Sequence, residues 1–165
     1  GSGSTGATNV FRHVGKGPAF IVFLIDVIKG TAPVVLARSL DLGDGLQVFA
    51  GITALIGHIW PIWLRWKGGK AVATGLGMLL GLSWPVGLGC FGVFLTIFSI
   101  SRIVSLSSIA AALCLPFLMF LSFNDSFSKP YFFVSLIAMA IVIWRHRSNI
   151  NRLLSGTEPR IDKSK

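Results

Sequence analysis

From Ala71 to Ser101 the chain runs 31 residues without a formal charge. A membrane-crossing helix needs only about 20 apolar residues, so this run is one heavily tilted span or two short ones with a reversal between them. Ser83-Trp84-Pro85 stands in its middle, where a helix ending near Leu82 can stop and another begin. Four further charge-poor stretches flank it: Gly17–Ala37 (interrupted by Asp26 and Lys29), Gly45–Leu64, Ile103–Asn124 and Pro130–Trp144.

The cations choose between the two arrangements. With a reversal at residues 83–85, twelve of the fifteen Lys and Arg fall on one side, leaving Arg38 and Lys129 opposite and Lys29 inside a span. A single span would scatter them. The positive-inside rule favours the reversal and makes the cation-rich side cytoplasmic. The expectation is therefore an all-α polytopic membrane bundle with six spans, near 17–38, 46–64, 71–82, 85–101, 105–122 and 130–145. Residues 146–165 form a cytoplasmic tail. Composition agrees: 53% of the chain is hydrophobic and only 13% charged, against about 25% charged in an ordinary soluble domain. The two cysteines, Cys90 and Cys114, lie in apolar runs and exclude a disulfide scaffold. Trp60, Trp63, Trp66 and Trp144 fall near the cytoplasmic span ends, where an aromatic belt is expected.

Three polar blocks interrupt this pattern, all on the cation-rich side. The first is Gly-Ser-Gly-Ser-Thr-Gly-Ala-Thr-Asn over residues 1–9, followed by Arg12 and Lys16. It opens like an expression linker, but its continuation into Val10-Phe11-Arg12 is not linker-like. Its glycines permit close backbone approach, and its arginine offers a fork for phosphate. The second is His58-Ile-Trp-Pro61 and then Arg65-Trp-Lys67-Gly68-Gly69-Lys70, directly before a helix start. Exposed amides, the helix dipole and ammonium groups would meet an anion there. The spacing is not that of a nucleotide P-loop. The third is Arg145-His146-Arg147-Ser148-Asn149 with Arg152, where Arg145, Asn149 and Arg152 would share one helix face. Asp26 and Lys29 also share a face and are expected to pair with each other, because either one alone facing lipid is costly. Gly77 and Gly81 form a small-xxx-small pair suited to close helix packing.

In this order and between these spans, the blocks resemble the bacterial acyl-phosphate–glycerol-3-phosphate acyltransferases, the PlsY family. The match rests on residues 1–12, Gly57-His-x-x-Pro61, Lys67-Gly-Gly-Lys-x-Val-Ala-Thr74, Arg102-x-Val-Ser-Leu-x-Ser-Ile109 and His146-Arg-x-Asn-Ile-x-Arg-Leu-Leu-x-Gly-Thr-Glu158. The resemblance implies transfer of a fatty acyl group from acyl phosphate to the 1-hydroxyl of glycerol 3-phosphate. Lysophosphatidic acid and phosphate would be the products, in the first step of phospholipid synthesis. It implies a seven-span family fold whose first span would precede Gly1, and a multi-pass protein of the bacterial inner membrane with a cytoplasmic active site. Asn-Pro or Asn-Ile is more typical of the family where Ser4-Thr5 stand, and glycine is commoner at Ala71. By motif position Ser2, Arg12, His146 and Asn149 are expected to be catalytic. Asn9, His58, Lys67, Gly68, Gly69, Lys70, Ser105 and Arg152 are expected to bind substrate, and Glu158 to be structural. No metal or other cofactor is expected. The expected partners are acyl phosphate, glycerol 3-phosphate and membrane lipid, with no nucleic acid.

Chemistry read from the residues agrees. An acyl phosphate is already activated, so Ser2 reads as a hydrogen-bond donor ahead of a nucleophile. His146 either orients a substrate phosphate or takes the hydroxyl proton. A metal-dependent phosphatidyltransferase would need clustered cytoplasmic carboxylates, and only Glu158 and Asp162 are available. The His-x-x-x-x-Asp signature of soluble-type acyltransferases is absent after His13, His58 and His146. The remaining alternative, a transporter or binder of organic phosphates, needs a path to the outer side, where the turns are short and nearly free of cations.

Overall fold

The computed structural model describes residues 3–122 and 128–161, which contain eight α-helices and no strand among them. A short α1 (Ala7–His13) leads into α2 (Lys16–Ser39) and α3 (Asp44–Ile59). After a 3₁₀ turn at Ile62–Leu64 come α4 (Val72–Leu82), α5 (Trp84–Ser101), α6 (Val104–Leu121), α7 (Lys129–Arg145) and α8 (Arg147–Leu154). Only Ser83, in an extended conformation, separates α4 from α5, and Pro85 sits in the first turn of α5. Gly87 then lies against Leu80, so the chain folds back on itself there.

Helices α2, α5 and α6 and the stretch Asp44–Leu64 are long and apolar enough to cross a membrane. Pro61, which lacks an amide to continue the helical ladder, leaves α3 stopping at Ile59, short of Leu64. Helix α4 has 11 residues, and at 1.5 Å per residue spans about 16 Å, half the hydrocarbon thickness. It is packed against α2, α3, α5 and α7. Val34, Leu55, Ile59, Met78, Leu82, Leu115 and Met119 form the core around it. Large apolar side chains stay exposed on the outer faces, among them Phe20, Ile21, Ile28, Phe49, Phe117 and Phe133. In water that surface would be untenable, and in lipid it is the expected exterior.

One end of the bundle is closed by a small polar cluster. Arg38 Nη2 donates to the Leu82 carbonyl at 2.7 Å, capping the last turn of α4. Tyr131 Oη donates to Gln47 Oε1 at 2.6 Å, and Gln47 Nε2 donates to the Leu42 carbonyl at 2.7 Å. The described residues of the three polar blocks gather at the other end, around one cavity.

Candidate active site

Irregular backbone before α4 starts the site. Arg65, Trp66 and Ala71 all have left-handed φ, at 52°, 65° and 57°, a conformation that L residues adopt only under constraint. The constraint comes from α3. The Gly68 and Gly69 amides donate to the carbonyls of Ile59 and His58, each at 3.2 Å. A Cβ on Gly68 would strike the His58 carbonyl, and one on Gly69 would strike the His58 ring. This corrects the expectation that these two glycines offer free amides to an anion. A buried amide needs a hydrogen-bond partner, which α3 supplies, and the glycines are required by close approach instead. Lys67 also needs correction: it is exposed and does not line the cavity, because the turn carries it outward.

The turn delivers Lys70. Its Nζ donates to Asn149 Oδ1 at 2.6 Å, and Asn149 Nδ2 donates to Glu158 Oε1 at 2.6 Å. Ser105 Oγ donates to the same carboxylate oxygen at 2.7 Å, while Arg152 Nε takes Oε2 at 2.7 Å. Glu158 is thus the hub that fixes Asn149 and joins α6 to α8. Burial alone would raise its pKa, but hydrogen bonds from Ser105, Asn149 and Arg152 outweigh this and hold the carboxyl below its ordinary range. Burial lowers the Lys70 pKa, with the Glu158 charge opposing and the neighbouring arginines assisting.

His146 lies where α7 and α8 part. The break overturns the expectation of one continuous face. Arg145 turns to the Gly69 carbonyl at 2.9 Å, while Asn149 and Arg152 serve Glu158. His146 is 2% exposed. Its Nδ1 lies 2.8 Å from the Val142 carbonyl, and a carbonyl can only accept, so Nδ1 carries the proton. Burial pushes the ring's pKa down to about 4, with the Val142 hydrogen bond opposing and Lys70 assisting. The ring is therefore neutral near pH 7, with Nε2 a bare acceptor.

The described part of the first block, from Ser4 on, lines this centre. Asn9 Nδ2 donates to the Ser4 carbonyl at 2.8 Å, folding the glycine–serine segment onto α1. Arg12 is exposed and reaches the Pro159 carbonyl at 3.3 Å. Ser2 lies outside the described residues. A cavity of about 300 Å³ opens among these groups. Of the residues expected from sequence, Asn9, Arg12, His58, Lys70, Ser105, His146 and Asn149 line it, and Arg152 braces it through Glu158. Residues 71–73, whose amides open α4 and so lack intrahelical partners, line it as well. Its far wall is apolar, with Phe23, Leu76, Leu79, Phe91 and Phe94. Sequence reasoning paired Asp26 with Lys29, as observed, but missed that Asp26 also faces His58 and lines the cavity. A carboxylate inside an apolar span was the available signal.

Comparison with known proteins gives one consistent result. The family model for glycerol-3-phosphate acyltransferase matches residues 1–156. A glycerol-3-phosphate acyltransferase of Prochlorococcus marinus (strain MIT 9313) is 70% identical over 164 residues, covering 99% of this chain and 80% of the relative. One of Parasynechococcus marenigrum (strain WH8102) is 65% identical over 161 residues, covering 98% and 74%. The crystal structure of PlsY, an integral membrane glycerol 3-phosphate acyltransferase, superposes in its glycerol 3-phosphate form with a TM-score of 0.91 at 39% identity. That alignment covers 98% of this chain and 80% of the other, and the lysophosphatidic acid form gives 0.90. The chain belongs to the PlsY family of integral membrane glycerol-3-phosphate acyltransferases.

Proposed function

We propose that the chain transfers an acyl group from acyl phosphate to the 1-hydroxyl of glycerol 3-phosphate, at a site on the cytoplasmic face of a bacterial inner membrane. One observation carries the reading: a single cavity joins a cationic, hydrogen-bonding end to an apolar wall. A compact phosphate ester suits the first, and the end of a membrane-dissolved chain suits the second.

Lys70, Arg12 and the opening amides of α4 hold phosphate, supplying charge and preorganised donors. The hydroxyl oxygen attacks the acyl carbonyl carbon. A carbon–oxygen bond forms there, the bond from that carbon to the phosphate oxygen breaks, and inorganic phosphate leaves with the bonding pair. His146 Nε2 accepts the hydroxyl hydrogen bond and aims the nucleophile. With a conjugate acid at about 4 the ring holds a proton poorly, so the departing inorganic phosphate, a much stronger base than this imidazole, is its final acceptor. Asn149 and Ser2 are the donors toward the carbonyl oxygen and the leaving phosphate. Loss of one such donor costs about 2.7–4 kcal/mol in the transition state.

Palmitoyl phosphate, acyl-CoA and acyl carrier protein offered in turn to the protein in detergent or bilayer test the donor. Turnover is expected with palmitoyl phosphate alone, releasing phosphate in step with lysophosphatidic acid. Efficient use of acyl-CoA, or complete loss of activity with EDTA, would overturn the mechanism.

A further inference from the structure

Asp26 and His58 are buried polar groups of the helices themselves, and the mechanism above gives neither a task. Asp26 lies in α2 with its side chain 6% exposed, ion-paired to Lys29 one turn on. The same oxygen, Oδ1, faces His58 Nδ1 at 3.4 Å, and the His58 side chain is 3% exposed. The imidazole's other edge is blocked. Nε2, Cε1 and Cδ2 all crowd the position a Cβ on Gly69 would take, so the ring is seated under the Gly69 Cα. Although His58 lines the cavity, the nitrogen that Asp26 leaves free is turned to backbone, a poor place from which to abstract a proton or grip a phosphate.

Gly69 is in fact held on every side. Its amide goes to the His58 carbonyl, its Cα rests on the His58 ring, and its carbonyl takes Arg145 Nη2 at 2.9 Å. The next residue is Lys70, whose ammonium must reach Asn149. We propose that Asp26 and His58 are positioning residues: the carboxylate of α2 fixes the imidazole of α3 as a seat for Gly69, and the seat sets where the Lys70 ammonium stands. Lys29 compensates the charge of Asp26, so the seat is held at membrane depth without an isolated ion. The inference rests on the reading of Lys70 as a phosphate-holding group, but its first measurement does not.

That measurement is the rate at which an amine-acylating reagent labels Lys70 in the folded protein, followed by peptide mass spectrometry with Lys67 as the internal reference. Asp26→Asn and His58→Gln should each raise Lys70 labelling about threefold or more relative to Lys67, with cooperative thermal unfolding retained. Kinetics then connect the seat to catalysis. Each variant should raise KM for glycerol 3-phosphate about tenfold while adding little to Lys70→Gln, because residues acting through one group are non-additive. Unchanged labelling in both folded variants would overturn the proposal. So would double variants whose losses multiply, which would make Asp26 or His58 act independently of Lys70. If labelling rises but Lys70→Gln itself keeps a wild-type KM, the seat stands and the phosphate assignment falls. Should Asp26→Asn fail to fold, His58→Gln carries the same measurements, since it leaves the Asp26–Lys29 pair intact.

Discussion

Burial and one contact together give His146 its properties. The sequence supplies an imidazole among cations and leaves open whether it donates to a phosphate or accepts from a hydroxyl. The Val142 carbonyl, 2.8 Å from Nδ1, accepts that nitrogen's hydrogen bond and leaves Nε2 of the neutral ring as an acceptor, which is what the proposed reaction uses. That carbonyl lies one helical turn back, and only burial of the ring makes the contact durable, so residue identity alone could not reveal it. The consequence for stability has a definite sign. An unfolded chain's imidazole takes up its proton near the ordinary value of 6.5, and the folded one only at about 4. Between those values the unfolded state binds more protons, so stability falls as pH is lowered through this window and is level above it. Thermal unfolding in detergent should show a loss of about 2 kcal/mol by pH 5 relative to neutrality, absent in His146→Gln. Glu158, whose pKa is lowered, adds its own loss mainly as pH falls below the ordinary carboxylate value of 4.5, under the pH 5 end point of this comparison. Parallel declines in the two proteins would mean that His146 is not held neutral.

Among the elements, α2 and α4 share the most extensive packing. The small residues of α4 make it possible. A Cβ on Gly77 would strike the Val27 carbonyl, and one on Gly81 the Val34 side chain, while Thr31 Oγ1 donates to the Gly77 carbonyl at 2.8 Å. Across α4 the obstacle to Gly77 is backbone, which cannot step aside. Gly77→Ala should therefore destabilise the protein by about 1–3 kcal/mol in thermal unfolding. Gly92→Ala on α5, which meets nothing within 4 Å, should be neutral or slightly stabilising. Equal effects at both positions would show that α2 and α4 are not this close. The glycine spacing was legible as a packing device, and the helices were legible because charge and proline punctuate them. Neither reveals which helix the glycines meet, since that depends on how each helix is rotated about its axis. For the same reason the sequence could pair Asp26 with Lys29 on one helix, but not with His58 on another.

At the scale of the whole molecule, the two ends of the bundle differ in kind. One collects the glycine turn, the cations and the cavity, with the tail strapped across by Glu158 and by the Ile161 amide on the Arg102 carbonyl at 2.8 Å. The other is tied by Arg38, Gln47 and Tyr131, an inward-bonded cluster whose one guanidinium caps α4. Arg38 is thus consumed as a structural group, which strengthens the charge asymmetry: among the described residues, most of the exposed cations lie at the cavity end. That asymmetry should place the cavity end in the cytoplasm and the break at Ser83 outside. The test uses a protein whose Cys90 and Cys114 have been replaced, carrying either Ser83→Cys in the α4–α5 break or Ser148→Cys in the exposed start of α8. In intact cells an impermeant thiol reagent should label the first and spare the second, and after lysis it should label both. The break is a single residue between helices that fold back on each other, so labelling there reports directly on the reversal. Labelling of Ser148→Cys in intact cells with protection at Ser83→Cys would invert the protein and place the cavity and the proposed phosphate-binding groups on the wrong side for a cytoplasmic acceptor.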